Sequence, residues 1–400
     1  MTNQPPSFIA SFHASINHID RDRWNTLCGL NYPFLRHEFF SAMESSGCTS
    51  KETGWQPYHL TLKESSSEHI IAVMPLYIKH HSYGEYVFDW AWADAYQRHG
   101  LPYYPKLLNA IPFTPAQGER WGIDDRFEER EILSILQQAI TEEATAKQLS
   151  SCHILFFDQE KEHMLSHDKW QTRVGYQYHW FNEGFTCFDD FLATMSSRKR
   201  KNILKERAKI HAQNITLATK TGSEITTEEW QQFYAFYQST YYKRSGHQGY
   251  LSAEFFTAIA DNLAEHIVMV QAYTSEQSDN DGLVFVAAAL CFRDSDTLYG
   301  RYWGCSEDYD ALHFEACYYQ GIEYAIKHKL TRFDPGAQGE HKIQRGFTPI
   351  RTFSSHWIEN DDFSQAITRF LAQEKKGVDQ HIDEAAQLLP FKKAPITSPF

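Results

Sequence analysis

Three titratable side chains of different basicity stand side by side in the segment Asp334-Pro-Gly-Ala-Gln-Gly-Glu-His-Lys-Ile-Gln-Arg-Gly-Phe347: Glu340, His341 and Lys342. A carboxylate or an imidazole can take a proton from an amine, and an ammonium or guanidinium (Lys342, Arg345) can steady an oxyanion as it forms. Gly336 and Gly339 open backbone angles that other residues resist, so the loop can turn tightly and aim these groups inward. The pattern points to Glu340, His341 and Lys342 as catalytic candidates, with Gln338 of the same loop as a substrate contact. The plainer reading is a surface turn whose charges are solvated.

A related segment, Pro112-Phe-Thr-Pro-Ala-Gln-Gly-Glu-Arg120, carries an amide, a carboxylate and a bidentate donor in Gln117, Glu119 and Arg120. Upstream stand Asp89, Trp90, Tyr104 and Lys106, acids and bases interleaved with rings. Such a mixture suits a cleft that stacks apolar faces and bonds amines or hydroxyls; equally, it suits an amphipathic strand with its rings in the core. Arg301, Tyr302 and Trp303 end an apolar strand and join the substrate-binding candidates. The helical stretch beyond them is crowded by Glu307, Asp308 and Asp310, which repel a pyrophosphate. His313-x-Glu315 resembles the start of a zinc deaminase motif, but no Pro-Cys-x-x-Cys accompanies it.

The segment Arg198–Lys209 holds seven basic residues and one acid, Glu206. Helical spacing puts Arg198, Lys201, Lys205 and Lys209 on one face. Arg198, Lys201 and Lys205, with His313, are the candidates for holding donor phosphates; the alternative is a solvated face. Histidine pairs such as His80/His81 and His163/His167 lack carboxylate support, so no metal site is expected.

The scaffold that positions these groups is bounded by composition. Four hundred residues suggest two domains, and 42% hydrophobic content with 15% aromatic content excludes wholesale disorder. A net charge of −13 excludes a surface that coats nucleic acid or an anionic membrane throughout, so any such contact is local. The longest purely apolar run, Leu283 to Phe292, is half of a membrane span. No signal peptide is visible, and seven cysteines without a C-x-x-C read as reduced thiols, so a cytoplasmic protein is expected.

Apolar alternation predicts strands near 57–64, 70–79, 86–92, 152–157, 176–182, 215–220, 267–273, 283–292 and 297–303. Helical periodicity appears near 36–46, 127–149, 198–212, 226–243, 252–265, 312–328 and 362–388. The interleaving gives an α/β (α+β, mixed-sheet) class. A seam is expected at Asn182-Glu183-Gly184, giving domains 1–183 and 184–400, with a helix in 356–389 that could pack on both. Residues 274–282 read as an exposed loop, and the tail after Leu389 as poorly ordered. Ala-Gln-Gly-Glu occurs at both 116–119 and 337–340 in comparable positions, which suggests a duplicated fold.

Several segments together carry a resemblance: Ser197-Arg-Lys-Arg-Lys-Asn-Ile, Phe233-Tyr-Ala-Phe-Tyr-Gln-Ser-Thr, Val284-Phe-Val-Ala-Ala-Ala-Leu, Leu298-Tyr-Gly-Arg-Tyr-Trp-Gly and Phe333-Asp-Pro-Gly-Ala-Gln-Gly-Glu-His-Lys. Pro33-Phe-Leu-Arg-His37, Pro75-Leu-Tyr-Ile-Lys79, Ser82-Tyr-Gly-Glu-Tyr-Val-Phe-Asp-Trp90 and Tyr104-Pro-Lys106 extend it over nearly the whole chain. The sequence resembles the FemAB-like N-acyltransferases of the GNAT superfamily, the peptidoglycan biosynthesis or recognition type. That resemblance implies two tandem GNAT-like domains of Fem type around a shared cleft. It also implies transfer of an acyl or aminoacyl group to an amine acceptor, a small molecule or a cell-wall precursor. No tightly bound cofactor is expected; acyl-CoA or aminoacyl-tRNA is the implied co-substrate. The GNAT pyrophosphate signature is missing from 304–312, which counts against coenzyme A, and the acidic total charge counts against tRNA. Two other classes remain open: a non-catalytic module that stacks glycans on its rings, and a single-strand or tRNA binder acting through the basic helix.

Overall fold

The computed structural model describes residues 7–65, 67–165, 169–275, 282–337 and 339–392. The chain begins with β1 (Phe8–His13), α1 (Arg21–Cys28) and α2 (His37–Ser45). It continues through β2 (Trp55–Pro57), β3 (His59–Glu64), β4 (Ile70–Met74), β5 (Tyr77–Lys79), α3 (Trp90–Arg98), β6 (Lys106–Asn109), β7 (Gly122–Ile123), α4 (Glu129–Ala146) and β8 (Ser151–Phe157). There follow α5 (Glu162–Leu165), β9 (Trp170–Phe181), α6 (Phe188–Thr194), α7 (Ser197–Ala212), β10 (Ile215–Thr221), α8 (Thr227–Ser245), α9 (Ala253–Asn262), β11 (Ile267–Thr274), β12 (Val284–Arg293) and β13 (Thr297–Cys305). The last elements are α10 (Leu312–Phe314), a π-turn (Glu315–Tyr319), α11 (Gln320–Lys327), β14 (Arg332–Asp334), β15 (Thr348–Ile358) and α12 (Asp361–Gln387).

Two compact units result. One comprises the chain up to Tyr176 with Tyr250–Leu263 and Arg351–Asp379; the other comprises Gln177–Gly249, Ala264–Ile350 and the chain from Gln380. The first unit has an antiparallel sheet in the order β1-β3-β4-β7 and a second run of strands in the order β2-β5-β6-β8-β15. Within that run only β6 and β8 are parallel. Ile132, Leu133, Leu136 and Ile140 recur at helical spacing along α4 and pack with Leu60, Leu62 and Met74 in one core. In the second unit the order is β10-β11-β12-β13-β14-β9, and only β13 and β14 are parallel. The mixed α/β class expected from the sequence is therefore the observed one.

The second unit is organised by α8. Its start is fixed by a capping box in which Thr226 accepts from the Glu229 amide and the Glu229 carboxylate accepts from the Thr226 amide. Gly246, at φ 71°, ends it in the left-handed conformation. Trp230, Phe233, Phe236, Tyr237 and Thr240 form its buried face. A Cβ on Gly304 of β13 would lie 2.5 Å from the Phe236 carbonyl carbon, so strand and helix backbones touch there.

Several expectations are corrected. The 86–92 segment is not a strand. From Trp90 it is helical, because alanines at 91, 93 and 95 favour a helix and Trp92 and Tyr96, one turn apart, are the residues that bury. The 70–79 strand breaks at Pro75 into β4 and β5. Strand β15 escaped notice because its buried stretch is polar (Ser354, Ser355, His356). The division does not fall at 183 but inside β9, and 250–263 returns to the first unit, where Tyr250 stacks on Phe113 at 4.8 Å and Phe255 meets Phe39 at 5.9 Å. Helix α12 gives Ile367 and Leu371 to a core of the first unit and Ala385 to a core of the second. The two Ala-Gln-Gly-Glu segments occupy different places: 116–119 precedes α4, between the parallel strands β6 and β8, whereas 337–340 follows the second parallel strand, β14. The loop residues 276–281 and the tail 393–400 lie outside the described residues, as do His167 and Gln338.

Gly304→Ala is expected to cost about 1–3 kcal/mol of stability because backbone, not a yielding side chain, blocks the new methyl. Urea unfolding of the full chain checks this; an unchanged midpoint means the contact is looser than described.

Candidate active site

In the second unit β13 and β14 pair at only three positions, Thr297 with Arg332, Leu298 with Phe333 and Tyr299 with Asp334. Beyond them the strands part. The register of β12 against β13 shifts between Cys291–Gly300 and Leu290–Tyr302, so Arg301 is the extra residue of a bulge at that point. A bulge re-aims the side chains around it. The orphaned backbone on the β14 side is met by side chains: the Asp334 carboxylate accepts from the Gly336 amide at 2.9 Å, and Lys342 Nζ donates to the Gly336 carbonyl at 2.5 Å. Gly336 has φ 91° and lies against the Gly300 carbonyl, where a Cβ would be 3.4 Å away.

The acid–base candidates gather beside this parting. His341 is exposed, and its Nε2 is 2.8 Å from the Tyr318 hydroxyl. His313 packs edge-on to Trp303 at 5.5 Å, with Tyr318 at 5.4 Å and His341 at 6.3 Å. Burial holds the His313 imidazole down at about 3, and Arg244, His341, Lys342 and Arg345 push the same way. Burial, then Arg345, Lys342 and Arg244, lowers His341 as well. Both rings are therefore neutral at pH 7, as a proton acceptor must be. Burial brings Lys342 down to about 8 and raises the Tyr318 hydroxyl. At the foot of β14, His179 Nε2 is 3.5 Å from Asp334 Oδ1, both buried, and burial keeps that imidazole at about 4.

The loop carrying His341 is pinned from behind. Arg345 donates to the His341 carbonyl at 2.8 Å and to both Glu206 oxygens at 2.8 and 2.9 Å, and its guanidinium lies 3.5 Å from the centre of the Phe314 ring. The Tyr319 hydroxyl also donates to Glu206. Glu315, buried in the π-turn, receives Arg207 at 3.0 and 3.1 Å and the Gln320 amide at 2.8 Å. A π-turn in this position is a common mark of a functional helix. Gly339 has φ 116°, a backbone angle that side chains rarely adopt, and a Cβ there would also stand 2.4 Å from His341 Cε1.

The structure thus groups His341 with His313, Trp303 and Tyr318. It leaves Glu340 exposed with no polar partner among the described residues. It buries Lys342, expected to face an oxyanion, and commits its ammonium to a backbone carbonyl, because the parted strand needs that donor. Tyr302 is buried against Tyr237 at 5.7 Å, and the Arg301 guanidinium lies 5.7 Å from the Tyr302 ring. Arg198, Lys201 and Lys205 lie exposed on α7; His313, expected beside donor phosphates, belongs instead with the acid–base candidates, since burial strips it of charge.

The substrate contacts expected in the first unit are mostly internal. Arg120 is fully buried and donates to the carbonyls of Leu155, Ala116, Gly118 and Glu119 and to the Tyr32 hydroxyl, so it has no exposed surface to offer a ligand. Gln117 is buried and donates to the Arg351 carbonyl at 3.1 Å. Glu119 is half-buried, and burial raises its pKa. Lys106 is fully buried. It bonds Ser82 at 2.9 Å, Glu85 at 2.8 Å and the Asp89 carboxylate. Asp89 also receives the Tyr103 hydroxyl at 2.6 Å, so this acid and base pair with each other because no water reaches them. The Tyr104 hydroxyl is 2.8 Å from Ser82 Oγ. Trp90, at the start of α3, remains exposed, with Tyr83 against it at 5.0 Å.

Sequence reasoning passed over Tyr318, Arg244, His179 and the Glu206–Arg345 pair, which only the fold assembles. It also passed over a buried imidazole pair in the first unit. His153 and His356 face each other across β8 and β15, Nδ1 to Nδ1 at 2.6 Å, each with a serine hydroxyl 2.8 Å from its Nε2 (Ser151 and Ser354). The repeated Ser-x-His at 151–153 and 354–356 was the available signal.

Residues 15–393 match the FemAB-like family, described as peptidoglycan biosynthesis/recognition. Among solved structures the chain is similar to FemX, at 13% identity and a TM-score of 0.53, covering 90% of this chain and 100% of that one. It is also similar to the C-terminal domain of a protein assigned as a lysylphosphatidylglycerol synthetase from Agrobacterium fabrum, at 8% identity and a TM-score of 0.52, covering 88% of this chain and 95% of that one. At such identities the likeness is one of fold. A comparison with curated proteins finds no match.

Burial lowers His153 to about 3 and His356 well below 6.5. Both stay neutral in the fold while the unfolded chain takes up protons below about 6.5. Their contribution to stability is full above that value and is lost as pH falls below it, for His153 until about 3, at about 1.4 kcal/mol per pH unit for an imidazole that stays neutral in the fold. Glu85, raised to about 7 by burial, acts in the opposite sense, so the difference between proteins isolates the histidine. His153→Gln is expected to flatten the pH dependence of the urea midpoint between about 6.5 and 5; a slope identical to that of the parent protein contradicts a neutral buried pair.

Proposed function

We propose, for a chain that belongs to the FemAB-like family, that it is an N-acyltransferase moving an acyl or aminoacyl group from a thioester or ester donor to an amine of a cell-wall precursor. The observation that carries this reading is the neutral, exposed His341 beside the parting of β13 and β14, with its Nε2 at hydrogen-bond distance from Tyr318. The productive tautomer donates Nε2–H to the Tyr318 oxygen and leaves the Nδ1 lone pair for the incoming amine. The amine loses a proton to Nδ1 and attacks the donor carbonyl. A tetrahedral oxyanion forms, and its collapse expels the thiol or hydroxyl, which takes the proton back. Lys342 and Arg345 act as positioning residues: one ties down the Gly336 carbonyl and the other the His341 carbonyl. Much of the rate gain comes from holding two substrates in register, as expected of a transfer between two bound partners.

Both acyl-CoA and aminoacyl-tRNA are donors consistent with the family. Glu307, Asp308 and Asp310, all exposed after β13, disfavour a pyrophosphate at that position. A second reading, a non-catalytic glycan-binding module, draws on the exposed Tyr83–Trp90 ring pair of the first unit, an apolar surface suited to a sugar face.

The test offers the full chain a panel of acyl-CoA thioesters and aminoacyl-tRNAs with peptidoglycan-peptide amines and detects acylated amine by mass spectrometry. His341→Ala, at an exposed position, is expected to fold and to lower kcat by about 10²–10⁴. In the pH profile of the parent protein the limb that reports the imidazole is expected to lie below about 6.5, since burial and the neighbouring cations hold that group under its usual value. Unchanged turnover in His341→Ala removes this residue as the base. Glycan binding without transfer from any donor favours the module.

A further inference from the structure

Helix α7 has two sides of different character. One side is anchored: Ile203 and Ile210 are buried, Arg207 bonds Glu315 and Glu323, and Glu206 bonds Arg345. The other side, which carries Arg198, Lys201, Leu204 and Lys205, has a single ion pair among the described residues, Lys209 to Asp310 at 2.7 Å near its C-terminal end. Arg198, Lys199, Arg200, Lys201 and Lys205 have neither an ion pair nor a side-chain hydrogen bond among the described residues, and Arg198, Lys201 and Lys205 are exposed. These five cations fall within two turns of a chain whose net charge is −13. Their mutual repulsion is unrelieved inside the protein, although acids abound elsewhere on it. Leu204 stands among them, 48% exposed, one turn after Arg200 and Lys201 and one turn before the exposed Ala208.

That arrangement discriminates between polyanions. A nucleic-acid strand is held by cations together with rings that stack on bases, and α7 carries no Trp, Tyr or Phe, its one exposed ring being His211 near its C-terminal end. A bilayer surface takes a helix lying flat, with cations at the level of the phosphates and an aliphatic side chain in the boundary layer. Contact of this kind is peripheral: among the described residues no helix is long and apolar enough to cross a membrane.

We propose that the exposed face of α7 docks on the surface of a bilayer bearing anionic lipids, with Leu204 entering the headgroup layer and Arg198, Lys201 and Lys205 meeting the lipid phosphates. The contact is local and reversible. It opposes the repulsion that the acidic remainder of the chain feels from the same surface, so it weakens steeply as salt screens the cations. It is independent of the acyl-transfer reading, because none of these side chains touches the His341 cluster.

The experiment is co-sedimentation of the full chain with vesicles of phosphatidylcholine alone or of phosphatidylcholine mixed with phosphatidylglycerol. The protein is expected to sediment with the mixed vesicles at low salt, to be released by high salt, and to ignore phosphatidylcholine. The double variant K201A/K205A removes two cations worth roughly a factor of five each, so its vesicle affinity is expected to fall about 25-fold. L204A is expected to weaken binding several-fold while leaving the salt dependence unchanged. All three side chains are exposed, and thermal melting of each variant confirms the fold. Equal sedimentation with both vesicle types, or variants that bind as the parent does, overturns the proposal. A single-stranded oligoribonucleotide that binds more tightly than the mixed vesicles and is lost in K201A/K205A overturns it in favour of RNA.

Discussion

Where two parallel strands part inside a protein, each leaves a row of amides and carbonyls that water does not reach freely, and those groups must find partners. The end of the β13/β14 pairing is such a place. Asp334 and Lys342 supply the partners for Gly336, and once they do the loop that follows has little freedom left. His341 stands where it does because the residue after it, Lys342, is drawn inward to the carbonyl of Gly336. The same inward turn leaves its own side chain outside, against Tyr318. The glycines serve this constraint: Gly300 and Gly336 let the backbones pass closely, and Gly339 leaves space for the imidazole.

Charge in this chain is organised by access to water. In the first unit Lys106, Asp89 and Glu85 are sealed together, each satisfying another, and removal of any one leaves a buried charge uncompensated. In the second unit the guanidinium groups of Arg207 and Arg345 are matched by Glu315, Glu323 and Glu206, which fasten α7 to the π-turn, to α11 and to the loop that carries His341. The positive groups near His341 and His313 then do a second job, since they reinforce burial in keeping both imidazoles neutral. A neutral imidazole with a fixed hydroxyl partner is a usable base; a protonated one is not.

The chain belongs to the FemAB-like family of peptidoglycan biosynthesis/recognition proteins, and it shares the fold of FemX across almost its full length. What separates its residues into roles is their environment. Arg120 and Arg345 both follow a Gln-Gly-Glu segment in sequence, yet the first is fully buried and bonds chiefly backbone carbonyls while the second positions the candidate base.

The sequence alone determined the family, the α/β class, most strands and helices, and the segment that carries His341. These follow from local periodicity, from glycine placement and from motifs that are contiguous in the chain. Only the tertiary structure decided which charged residues are tools and which are struts. Asp89, Lys106 and Arg120 read as ligand contacts because a sequence does not display burial, and the fold buried all three. Tyr318, Arg244, Glu206 and His179 carried no local mark; they matter through neighbours brought in from distant parts of the chain. The serine-flanked histidines at 153 and 356 show the same limit from the other side, since their shared pattern meant nothing until antiparallel register set one opposite the other.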